Sequence, residues 1–230
     1  MGGNALPKTA INTMKYPSIY LKQSKEIPIK RRHHWIFSGA ISHGAKFADG
    51  DICEIYSYSN EFLGHGYCNN KTTIAIRMIN YSTEVPLVSL EKNVENAFRM
   101  RINLFNDKNT NAYRLINGEG DLVPGLIVDR YNDILVLQIS TVGIDKLKNT
   151  IIKFIKNASS KIGLKIEGIY EKSTMSARSK DGLMPFEGLL YGNLSSNTLV
   201  EENGIKFVVN ITESQKTGLF LDQREMRNLI

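Results

Sequence analysis

Between Gly50 and Met78 the chain alternates short apolar runs with turn residues, and this stretch restricts the fold most tightly. Ile52 to Tyr58, Phe62 to Tyr67 and Thr73 to Met78 are each too short for a stable helix. Ser59-Asn60 and Asn69-Asn70 separate them. Short, evenly spaced strands with Gly and Asn turns predict a small β-barrel. A module of that size has little core of its own and typically binds rather than catalyses.

The remainder changes period. Pro86 to Asn106 carries Leu90, Val94, Ala97, Phe98, Leu104 and Phe105 as an apolar stripe near helical spacing, with Arg99 and Arg101 off it, toward solvent or RNA. Leu126 to Arg130 and Ile134 to Ile139 read as paired strands around Tyr131-Asn132-Asp133. Ile144 to Ile162 is a second helix, with Leu147, Ile151, Phe154, Ile155 and Ala158 inward and Lys146, Lys148, Lys153 and Lys156 outward. Ile166 to Glu171 is a strand, Ser173 to Glu187 irregular, and Asn203-Gly204 a hairpin turn. The expected fold class is α+β: a barrel over 18–83 after a lead at 1–17, a central α/β part over 84–197, and a further unit opening at 198–230.

Charge narrows the partners slightly. The formal net charge is +6 and the isoelectric point near 9.2, a lean toward polyanions. Lys22, Lys25, Lys30, Arg31 and Arg32 cluster before His33-His34-Trp35-Ile36-Phe37, with Glu26 the single acid in between. Basic residues interleaved with aromatics suit phosphate contact plus stacking. The basic residues fit a solvated face equally well, and Trp35 and Phe37 are read as packed in a small core. His33 and His34 are adjacent and point apart, which argues against a metal pair. Cys53 and Cys68 are too few and too far apart for a zinc site or a disulfide framework, and are read as buried thiols of a reducing cytoplasm, with a disulfide between them as the lesser alternative. No run of about 18 apolar residues predicts a membrane span, and the N-terminal stretch has no secretory apolar region.

Candidate chemistry concentrates at Gln215 to Arg227. Lys216-Thr217-Gly218 is a loop, Leu219-Phe220-Leu221 an apolar run, and Asp222 with Glu225 the spacing of a capping box, which predicts a helix from Gln223. A helix start beside Arg224 suits a carboxylate or phosphate. Asp222 as a mere cap and Phe220 as core is the competing account. Glu119, Asp121 and Asp129 could serve acid–base or metal chemistry, but turns favour Asp and Gly for backbone reasons, and the structural reading is preferred. Arg178 and Lys180 are available to phosphate or solvent alike.

Three stretches carry a resemblance. Lys30 to Ile41, with His33-His34-Trp35-Ile36-Phe37-Ser38-Gly39-Ala40-Ile41, resembles the PUA-domain opening of the cytosine-C5 methyltransferases of large-subunit ribosomal RNA (the RlmI-like group); His34 stands where that family usually has proline. Arg114-Leu115-Ile116-Asn117-Gly118-Glu119-Gly120-Asp121 through Tyr131 resembles its central domain. Lys216-Thr217-Gly218-Leu219-Phe220-Leu221-Asp222-Gln223-Arg224 and Arg227 resemble the lead-in to its Rossmann-like catalytic domain, with Leu219 at a usually aromatic position. The resemblance implies RNA binding by the barrel and a central domain whose arginines and acids shape a cleft. It implies S-adenosylmethionine as cofactor, held near Lys216, Thr217, Phe220, Asp222, Gln223 and Arg224, and a homodimer in the parent enzyme. Neither a glycine-rich strand–turn–helix motif nor the family's nucleophilic cysteine is found in this sequence. The expectation is the front part of such an enzyme, inactive alone; a stand-alone RNA-binding protein is the alternative.

Overall fold

The computed structural model describes residues 16–105, 109–195 and 197–229. The lead at 1–15, and the predicted end of the first long helix at Asn106, lie outside them. Three sheets form among the described residues. The first has six strands in the order β2-β6-β5-β4-β1-β3: β1 Ser18–Leu21, β2 Trp35–Phe37, β3 Ile41–Gly44, β4 Ile52–Tyr56, β5 Phe62–Cys68 and β6 Ile74–Asn80. Alternate residues point inward, so Ile19, Leu21, Ile55, Leu63, Ile76 and Met78 make its core. Between β1 and β2 a single turn, α1 Ile27–Lys30, carries part of the basic cluster. Cys53 and Cys68 lie on neighbouring strands and are bonded to each other, not the free thiols expected.

The second sheet runs β11-β10-β9-β8-β7, with β7 Ala112–Asn117, β8 Leu126–Tyr131, β9 Ile134–Ile139, β10 Gly168–Ser173 and β11 Phe186–Gly192. Only the β9–β10 pairing is parallel within it, and its crossover holds α3 Val142–Lys146 and α4 Lys148–Lys161. Sequence periodicity had merged these two helices; the chain breaks at Leu147. One sheet face packs Leu115, Val128, Leu135, Leu137 and Ile169 against α4 and α2 Pro86–Leu104. The other packs Ala112, Tyr131, Ile134 and Val136 against the hairpin of β12 Thr198–Glu202 and β13 Ile205–Val209. A short α5, Ser176–Lys180, interrupts the stretch read as irregular.

Barrel and central sheet share a seam. Tyr67 and Ile79 leave the barrel to join the central core. Gly143 accepts the Tyr67 ring so closely that a Cβ there would sit 2.3 Å from it. Trp35 and Phe37 are not core residues: they are 37% and 49% exposed. In the three-residue β2 only Ile36 faces inward, and period two sends both aromatics out. Trp35 instead donates its indole Nε1–H to Glu119 Oε1 at 2.9 Å, 84 residues along the chain. Arg77 lies 3.3 Å from the same carboxylate and 3.5 Å from Asp181. Trp35 is the sole tryptophan, so its emission reports on this latch. Glu119→Ala is expected to shift and weaken it; an unchanged spectrum would contradict the latch.

Candidate active-site cleft

A cleft of about 510 Å³ opens where edge strand β7 and the end of α2 meet the loop after the hairpin. Its far wall is that loop, Lys216 to Glu225. Buried contacts, not local propensity, hold the loop there. Lys172 is buried and donates to the carbonyls of Ile211 at 2.7 Å and Thr212 at 3.3 Å. Thr217 is 2% exposed and Asp129 1%. The Thr217 hydroxyl donates to Asp129 Oδ2 at 2.8 Å. Tyr131 then serves as donor to Thr217, 2.9 Å away, and accepts the Leu219 N–H at 3.0 Å. Arg114 completes the set, donating from Nε to Asp129 Oδ1 at 2.8 Å. Gly218 runs against the Tyr131 ring: a Cβ there would meet its Cζ at 2.9 Å.

Burial pushes the Tyr131 hydroxyl up to about 12, with the Asp129 carboxylate adding to it and the N–H of Leu219 working against. An unfolded tyrosine titrates near 10, so the folded state holds this proton more tightly. Its stabilising contribution is complete below about 10 and is lost as pH rises through about 12. Tyr131→Phe is expected to remove one late-titrating group from the alkaline tyrosinate absorbance curve. An unaltered curve would place Tyr131 elsewhere.

Five of the six residues implied for the cofactor line this cleft: Lys216, Thr217, Phe220, Asp222 and Arg224. Gln223 is exposed and is not among the lining residues. Thr217 spends its hydroxyl on the fold, so its part is to position the loop. Lys216 Nζ sits 4.4 Å over the Phe220 ring. Arg224 reaches across, its guanidinium 4.6 Å over Phe105. The expected capping box does not form. A 3-10 turn covers Leu221–Gln223, and α6 starts only at Arg224, ending at Arg227, without a side-chain cap. Arg227 ties this end down, forking to the Glu202 carboxylate at 2.7 and 2.9 Å.

The opposite wall was not assembled from sequence: Arg101, Phe105, Tyr113, Arg114, Asn117, Asp129 and Gln138. Phe105 and Tyr113 stack at 4.4 Å. Arg101 is neutralised by a fork to Asp121 at 2.6 and 2.8 Å. Of the acids weighed for catalysis, Glu119 belongs to the latch, while Asp121 pairs with Arg101 and Asp129 with Arg114. Arg178, read as available to phosphate or solvent, is buried.

In the barrel, Lys22, Lys25, Lys30, Arg31 and Arg32 are all exposed around α1. Lys22 donates to the Gly39 carbonyl, Lys30 pairs with Glu61, and Arg32 lies 4.7 Å over the Tyr81 ring. The basic surface and the cleft are separate places, joined by the latch.

Barrel, latch and cleft together describe a small β-module set against a central α/β sheet. Residues 19–81 match the family model of PUA-like domains. A candidate SAM-dependent methyltransferase from Streptococcus mutans superposes with a TM-score of 0.72 at 24% identity, over 92% of this chain and 53% of that one. A candidate methyltransferase solved with SAH gives 0.73 at 25%, over 92% and 52%. Among curated proteins the chain resembles ribosomal RNA large subunit methyltransferase I. The Shewanella denitrificans protein is 34% identical over 216 residues, 91% of this chain and 53% of its own length. That of Alteromonas mediterranea is 30% identical over 212 residues, 91% and 52%. The chain thus spans about half the length of the curated relatives it matches.

Proposed function

We propose that the chain supplies the RNA-docking module and one side of the catalytic cleft of an S-adenosylmethionine-dependent methyltransferase acting on large-subunit ribosomal RNA, at cytosine C5. The hairpin and α6 are read as the opening of its Rossmann-like catalytic domain, and the setting as cytoplasmic, with a homodimeric parent enzyme. The observation that carries this is the reach of the similarity to the ribosomal RNA methyltransferases, 34% over 91% of the chain.

The loop's side chains fit such a donor. Arg224 and Lys216 suit a carboxylate, Asp222 an ammonium group or ribose hydroxyls, and Phe220 the face of an adenine. When bound, the donor supplies an electrophilic methyl group. What these residues do is orient it, while Thr217 and Asp129 hold their loop in place. The chain offers no nucleophilic thiol, since Cys53 and Cys68 are bonded together. We therefore infer that by itself it binds RNA and transfers no methyl group, with donor affinity too weak for calorimetry.

Salt-dependent binding of a single-stranded RNA tests the reading. Each phosphate contact contributes a slope of about −0.7 in log K against log salt. Changing Lys30, Arg31 and Arg32 together to glutamine is expected to reduce that slope by roughly 2. An RNA affinity unaffected by the triple substitution would remove the basic cluster from the interface.

A further inference from the structure

The geometry points to a seat for one unstacked RNA nucleotide on the α2–β7 wall of the cleft, with Phe105 as its platform and Arg224 as a displaceable cover. This rests on the RNA-methyltransferase reading above and assigns that site's second wall a ligand. Three flat groups meet there. The Phe105 and Tyr113 rings lie 4.4 Å apart with 21° between their planes. Arg130 Nη1 donates to the Tyr113 hydroxyl at 2.6 Å and steadies that ring. Tyr113 is buried, so the platform is fixed from below. Above Phe105 lies the Arg224 guanidinium.

A guanidinium on a ring face occupies the place a base would take, because both are planar and both stack on aromatic rings. Arg224 is lightly held. Its carboxylate partner is its own neighbour, exposed Glu225, at 3.1 Å. Exposed pairs of this kind contribute little, so lifting Arg224 breaks no buried bond. The anchor of α6 is Arg227 on Glu202, which stays in place. A nucleotide that displaces Arg224 also frees it to turn toward the donor's carboxylate.

The rest of the wall has the chemistry of nucleotide recognition. Asn117 and Gln138 bring side-chain amides to the cleft, and an amide presents a donor and an acceptor side by side, as base edges require. Lys216 and the half-exposed guanidinium of Arg114 stand at the same opening for a phosphodiester. At about 510 Å³ the space falls within the range of small-ligand pockets. A sulfonium donor, cationic at its reactive sulfur, gains nothing from the Arg114 guanidinium beside the platform; a phosphodiester does.

The test is photo-crosslinking of a single-stranded RNA pentamer carrying one central 4-thiouridine to the chain, with affinities from fluorescence anisotropy. Cross-links in the peptides holding Phe105 or Tyr113 are expected. Phe105→Leu is expected to weaken binding roughly tenfold, the lower part of what one lost base stack costs. Phe105→Trp keeps the stack on Tyr113 and should bind like the parent, which separates a lost platform from a damaged fold. Cross-links confined to the Lys22–Phe37 surface, with all Phe105 variants binding equally, would overturn the seat and leave the RNA reading intact. Absence of any RNA binding would overturn both.

Discussion

Asp129→Leu is expected to lower the stability of the chain by about 2–3 kcal/mol and to release the Lys216–Leu221 loop from the sheet. Asp129 is almost wholly buried and binds two partners, Arg114 and Thr217. Removing one member of a buried ion pair typically costs about 3–5 kcal/mol. Here the Arg114 side chain is 41% exposed, and water can take over its guanidinium, which argues for less. The Thr217 hydroxyl keeps Tyr131, so it is not left bare. In a chain of this size the loss corresponds to a fall of roughly 5–10 °C in melting temperature. Thr217→Val deletes only the hydroxyl bonds and should cost about 1 kcal/mol. Trypsin gives the second readout: cleavage after Lys216 should be fast in the native Asp129→Leu protein and slow in the parent. Equal cleavage rates would mean that Asp129 does not hold the loop.

What could be read from the sequence follows the range of the forces involved. The Asn203-Gly204 turn is local chemistry, and it sits where the β12–β13 hairpin reverses. The strand runs after Gly50 were legible as short apolar runs bounded by turn residues, which is how β4 to β6 lie in the sheet. The capping-box spacing at Asp222 and Glu225 was equally visible, but it needs a helix long enough to cap, and α6 has four residues. Trp35 was assigned to the core on hydrophobicity. Its position depends on a carboxylate in another part of the fold, which no window of sequence contains. The cleft divides in the same way. Its loop wall lies in one contiguous motif. Its other wall exists only because β7 is an edge strand, so that Arg114 and Tyr113 border the cleft beside the end of α2, and strand order is a product of the whole sheet.

Arg178→Met is the more damaging of the two substitutions, with an expected cost of about 3–5 kcal/mol. Arg178 is 4% exposed. It donates to the Met184 carbonyl at 2.6 Å, the Ile139 carbonyl at 3.0 Å and Asp145 at 2.9 Å. Its Nη1 also lies 3.6 Å from Glu171, which is fully buried. Methionine fills most of the volume but leaves the carbonyls unpaired and Glu171 with Lys148 alone, 2.8 Å away. The damage should reach the domain seam. Just beyond α5, Asp181 accepts the Val142 N–H at 2.7 Å, its carbonyl accepts Asn69 at 2.9 Å, and Arg77 is 3.5 Å from its carboxylate. Tryptophan emission should therefore change, because Arg77 also touches the Trp35 partner Glu119. Arg178→Lys keeps the charge without the fork and should recover less than half of the loss. The decisive comparison is Arg178→Met with Glu171→Gln. Removing the stranded carboxylate should make the double variant more stable than Arg178→Met alone, a coupling that chemical denaturation can measure. If the double variant is no more stable, an uncompensated buried charge is not what Arg178 prevents.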